Sequence, residues 1–107
     1  MFSYSDFRTD TLLDGAADDA SRALILLSDN KRFMRKLTRP IGLSRDYQDR
    51  LARKIHTNKK LVEFILTDMQ EVGEEIEKRG DDEATTALSL MFKKIDAQAK
   101  RCVVHAN

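Results

Sequence analysis

The chain has 107 residues and a mass of 12.3 kDa, enough for one domain with one modest core. Hydrophobic residues make up 41% and charged residues 35%, an ordinary helical composition that excludes a disordered or collagen-like chain. A single cysteine, Cys102, excludes an intrachain disulfide framework and a four-cysteine zinc site, and the net charge of +1 favours no class of partner.

The opening residues, Met1 to Phe7, show neither a basic n-region nor an apolar h-region. The longest purely apolar run, Ala23 to Leu27, is far too short to span a bilayer. The expectation is a cytoplasmic protein that makes no use of a membrane. No strand pattern occurs, and helical periodicity runs through the chain, so the fold class is all-α, a small helical bundle forming a single domain over residues 1–107.

The first helical segment is expected over Thr9 to Leu27, where Leu13, Ala16, Ala20, Leu24 and Leu27 recur on one face. Gly15 weakens it by up to about 1 kcal/mol relative to alanine. Ser28-Asp29-Asn30 reads as punctuation, and a second short helix is expected over Lys31 to Leu37. Pro40 stops it near Arg39. Ile41 and Leu43, in the linker that follows, are expected to tuck into the core.

The third segment dominates, from about residue 44 to 79. Ser44 suits the N-cap, and Asp46 and Asp49 suit the positive end of the helix dipole. Leu51, Ile55, Asn58, Val62, Ile65, Met69, Val72 and Ile76 then alternate spacings of four and three, a heptad seam. Lys78 and Arg79 suit the last turn, and Gly80 suits the C′ position. At 1.5 Å per residue this helix is roughly 54 Å long. The fourth segment, about 82 to 103, carries a stripe of Ala84, Leu88, Met91, Ile95, Ala99 and Cys102 and should return antiparallel.

A fourth helix of about 33 Å covers only part of its longer neighbour. The expectation is therefore a homodimer in which the long helices pair through the seam. Asn58 within that seam would then set register by bonding its symmetry mate, with a bond inside its own chain as the alternative.

Charge is segregated along the chain. Residues 1–30 hold two basic and six acidic side chains, net −4; residues 31–60 hold eleven and two, net +9; residues 61–107 hold six and ten, net −4. The basic block is Lys31, Arg32, Arg35, Lys36, Arg39, Arg45, Arg50, Arg53, Lys54, Lys59 and Lys60. It is the candidate partner surface, for acidic protein or for phosphates. Only Phe33 and Tyr47 interleave it, which argues against single-strand stacking. The acidic counterpart, Glu71, Glu74, Glu75, Glu77, Asp81, Asp82 and Glu83, lacks calcium-loop glycines and reads as a solvated helix end.

His56 and Lys59 match the His-x-x-Lys spacing of histidine phosphotransfer domains, although Lys60 stands where glycine is expected there. Cys102 and His105 could supply two metal ligands, too few for a site in one chain. No phosphate-binding glycine loop, zinc-protease motif or serine elbow occurs. The expectation is a protein with no catalytic residues, no metal, no cofactor and no small-molecule substrate.

Arg39-Pro40-Ile41-Gly42-Leu43-Ser44-Arg45 and Ile55-His56-Thr57-Asn58-Lys59-Lys60-Leu61-Val62-Glu63 resemble, in these two stretches, the TraM antiactivators of rhizobial conjugative plasmids. The Val103-Val104 to Asn107 ending is similar too. The resemblance implies a long helix, a second helix returning antiparallel, a dimer, and binding to a LuxR-type activator. Taken together, the expected function is a non-enzymatic regulator or adaptor acting by protein–protein binding. The alternative is a small nucleic-acid-binding subunit using residues 31–60, and the third is a phosphotransfer module centred on His56.

Overall fold

The computed structural model describes residues 3–102. Among them it is an all-α helical bundle: α1 Thr9–Thr38, α2 Arg45–Arg79 and α3 Asp82–Cys102, with a short 3₁₀ turn at Tyr4–Asp6 before them. His105 and the Val103–Asn107 ending lie outside the described residues. No described helix is long and apolar enough to cross a membrane.

The expected break at Ser28-Asp29-Asn30 does not occur. The two short N-terminal helices are one helix of 30 residues. Asn30 is buried rather than capping: its Nδ2 donates to the Ile55 carbonyl at 3.2 Å, and its Oδ1 accepts from Asn58 Nδ2 at 2.9 Å. These bonds to α2 outweigh the weak intrinsic preference of asparagine for a helix interior, a cost of about 0.7 kcal/mol or less.

The helix ends follow local chemistry. Ser44 Oγ accepts from the Tyr47 amide and caps α2. Gly80 closes α2 at φ +67, its N–H donating to the Glu77 carbonyl at 3.0 Å. Asp81 then accepts from the Ala84 amide at 3.0 Å and starts α3. Between α1 and α2 the Leu43 amide donates to the Pro40 carbonyl at 3.1 Å, with Gly42 at φ +80, the left-handed position of a tight turn. That turn lifts Ile41 into solvent, 91% exposed, so it does not enter the core as expected; Leu43 is half-buried.

The helices run up, down and up. Arg79, at the end of α2, donates to Thr9 Oγ1 and to the Tyr4 carbonyl, both at 3.0 Å, so α1 and α2 are antiparallel. Thr9 and Leu13 share a groove with Ala84 and Ala87, which sets α3 parallel to α1 from the same base. α1 packs against both other helices, and α2 and α3 meet more sparingly. Ala16, Ala20, Ala23 and Ala84 are buried, small enough to admit close helix approach. Leu12, Leu27, Val62, Ile65, Met69, Val72, Ile76, Leu88 and Ile95 fill the core beside them.

Every apolar residue of the seam is buried within this one chain: Leu51, Ile55, Val62, Ile65, Met69, Val72 and Ile76. Asn58 faces Asn30 rather than a symmetry mate. The seam is thus already occupied, and the argument that it requires a second long helix falls away.

Gly15 lies inside α1, and an added Cβ there would meet nothing within 4 Å. Gly15→Ala is expected to stabilise the chain by about 1 kcal/mol, a rise of roughly 4–8 °C in Tm. A thermal melt followed by circular dichroism checks it.

Candidate functional site

α3 has 21 residues against the 30 of α1. From their shared base, α1 therefore outruns α3 by about 13 Å at 1.5 Å per residue. Past that point only α1 and α2, joined by the 39–44 linker, continue as a two-helix arm. The chain is correspondingly elongated, 54 × 29 × 17 Å, with a radius of gyration of 16.9 Å where a compact chain of this length has about 13 Å.

The arm carries the basic block, with Lys59 and Lys60 just below its base. Lys31, Arg32, Arg35, Lys36 and Arg39 come from its α1 side. Arg45, Arg50, Arg53, Lys54, Lys59 and Lys60 come from α2. All are exposed except Lys31, which is half-buried. Leu51 and Ile55 are buried beneath them, and the Asn30–Asn58 pair holds the base of the arm in register.

One face of the arm layers cations on rings. Arg32 lies 5.9 Å and Lys54 5.7 Å from the Phe33 ring centre, one cation from each helix. Lys36 lies 5.7 Å from the Tyr47 ring centre and donates to its hydroxyl at 3.1 Å. Such contacts contribute about 0.5–1 kcal/mol each at exposed sites. The sequence shows both aromatics, but only the antiparallel register reveals that each receives a cation from across the arm.

Neutralisation within the chain is slight. Among the described residues, the single ion pair involving the basic block is Arg32 with Asp29, at 2.7 Å. The acidic arms of the fold do not fold back over the others. Glu75 is taken up by Arg79 at 2.9 Å, and Asp81 by its capping role. The remaining carboxylates of residues 71–83 are exposed at the opposite end of the molecule. Among the described residues no three His, Cys, Asp or Glu side chains gather as a metal site.

His56 is exposed on the arm beside Lys59 and Lys60. Cys102 ends α3, and its pairing with His105 falls outside the described residues.

A second charged locus lies lower on the α1–α2 face, beside Tyr4 of the 3₁₀ turn, with Asp68 exposed and Asp19 half-buried. Burial and the nearby Asp68 carboxylate hold the Asp19 acid above the usual carboxylate range; Arg22 offsets this in part and Asp18 adds to it. Burial, then Asp68, Glu71 and Asp19, likewise push the Tyr4 hydroxyl up. Sequence reasoning does not single out this locus, because Asp19 and Asp68 are far apart along the chain. No protein-family model, curated protein or solved structure matches this chain.

Proposed function

We propose that this chain is a non-enzymatic regulator or adaptor that binds an acidic surface of another protein through its two-helix arm. The carrying observation is the arm's uncompensated charge: of eleven basic side chains, one has an ion pair among the described residues. Such a field steers an acidic partner and selects against basic ones. Six of the eleven are arginines, the basic residue that protein interfaces favour over lysine. Ile41 at the apex adds an apolar contact point that phosphates would not use. The resemblance of residues 39–45 and 55–63 to TraM-type antiactivators supports a transcription activator as the partner, blocked by occlusion.

A second reading, a nucleic-acid-binding subunit, draws on the same charge. Two packed helices are roughly 20 Å across, wider than the roughly 12 Å major groove, so contact would be with phosphates and independent of sequence.

An electrophoretic shift with random duplex and single-stranded nucleic acid, at low and physiological salt, separates the two. Binding that falls steeply with salt promotes the second reading. No shift at low salt leaves the protein partner, sought by pull-down from the native host. There the triple variant Arg35→Glu, Arg39→Glu, Arg45→Glu is expected to lose a stoichiometric partner by at least about tenfold in affinity. Equal retention by the variant overturns the proposal.

A further inference from the structure

The face of α1 and α2 away from α3 is covered by the 3₁₀ turn at its lower end and is otherwise open. Its residues repeat at intervals of seven. On α1 they are Asp19, Leu26 and Phe33; on α2 they are Lys54, Leu61 and Asp68. Residues seven apart lie on one stripe of a helix, two turns removed. The contact of Lys54 with the Phe33 ring sets those two at one level. Counting seven down from Phe33 and seven up from Lys54 brings Leu26 and Leu61 level. Seven more bring Asp19 and Asp68 level, and the charge coupling of these two agrees. From arm to base the face therefore reads cation, leucine, carboxylate on α2, and cation-bearing aromatic, leucine, carboxylate on α1. Leu61 is 44% exposed and Phe64 beside it 71%, which leaves an apolar patch at the centre.

This order is self-complementary. A half-turn about an axis lying in the face, across both helices at Leu26 and Leu61, places each leucine on its own copy. The same half-turn places Lys54 on Asp68 and Phe33, with Arg32 over it, on Asp19. We infer that two copies of this chain associate antiparallel through this α1–α2 face, with Leu26 and Leu61 on the two-fold axis. The interface closes on itself, as a two-fold contact must. The parallel alternative, with the axis along the helices, lays α1 on α2 and would oppose Lys54 to Arg32 over Phe33 and Asp68 to Asp19, and like-charge juxtaposition disfavours it.

Two further observations support it. The accessible surface is 7825 Å², against about 6,100 Å² for a compact chain of this mass. The excess is ample for the roughly 800 Å² that each partner of a standard interface buries. The Asp19 and Asp68 carboxylates also lie near each other, and Arg22 offsets their effect on Asp19 only in part. Arg32 and Lys54 of a second copy would add positive charge opposite this pair. The arm residues on other sides, such as Arg35, Arg39 and Arg45, stay free, so this association does not depend on the reading of the arm.

Sedimentation velocity at low and physiological salt tests it. The wild-type chain is expected at twice the mass of its 12.3 kDa monomer. Lys54→Asp and Asp68→Lys are each expected to weaken association by at least about tenfold, because each turns two attractive pairs into repulsive ones. Mixing the two variants is expected to restore the dimer. Both positions are exposed, and circular dichroism verifies that each variant is folded. Leu61→Cys, with Cys102→Ser, is expected to cross-link to its own copy, and Leu90→Cys on α3 is not. A monomeric wild type, a mixture that stays monomeric, or self-cross-linking by Lys54→Cys each overturns the inference.

Discussion

Ile65→Asp is expected to leave the chain unfolded. Ile65 sits in the middle of α2, 7% exposed, among the core residues shared with α1 and α3. An aspartate there would lose the apolar burial of isoleucine, about 1.5–3 kcal/mol. It would also bring a carboxylate into the core with no cation to meet it, a cost of several kcal/mol more. Chains of this size are stable by only about 5–15 kcal/mol in total, so the two effects together consume most or all of that. Loss of the helical circular dichroism signal at room temperature is the expected readout. Ile25→Asp is the control: Ile25 is 62% exposed on α1, and its replacement is expected to change stability by about 0.5 kcal/mol or less. Equal damage at both positions would contradict the burial pattern.

The second large effect concerns Asn58. In a symmetric seam, Asn58→Leu would stabilise the chain while loosening its register. The structure reverses that sign. Asn58 donates to Asn30 Oδ1, and Asn30 is itself buried, so leucine at 58 leaves a buried acceptor without its donor. The expected loss is about 1–3 kcal/mol. Replacing both partners removes the orphan, and Asn30→Leu with Asn58→Leu is expected to recover much of the loss. The recovery is partial, because the Ile55 carbonyl keeps its helical bond but loses the extra donor from Asn30. A double-mutant cycle from chemical denaturation measures the coupling, and an energy near zero would show that the two asparagines do not act as a pair.

Asn30 also marks where sequence reading stops. The ends of α2 were legible because caps are local: Ser44 and Gly80 declare themselves by their own neighbours. The buried stripe of α2 was legible because helical spacing alone puts those side chains on one side. The polar triplet Ser28-Asp29-Asn30 misleads for the same reason, since locally it is a good stop signal. What keeps α1 helical there is a partner 28 residues away. Ile41 points into solvent although it is apolar, because apolar character says nothing about which way a tight turn points. The basic block was legible as a charge count, but its isolation depended on α3 ending early, a difference between two helix lengths that no single segment reveals. The carboxylates Asp19 and Asp68 are ordinary acidic residues until packing sets them side by side.

The bonds between α1 and α2 bear on the order in which the chain closes. Lys36 to Tyr47 spans 11 residues, Asn30 to Asn58 spans 28, and Thr9 to Arg79 spans 70. Loop closure is least costly where the span is shortest, so a hairpin that zips from its linker meets these contacts in that sequence. The two asparagines then come together before most of the apolar core does. A helix pair displaced by one turn would bury both side chains without partners at that moment, and would open again before α3 arrives to lock the error in.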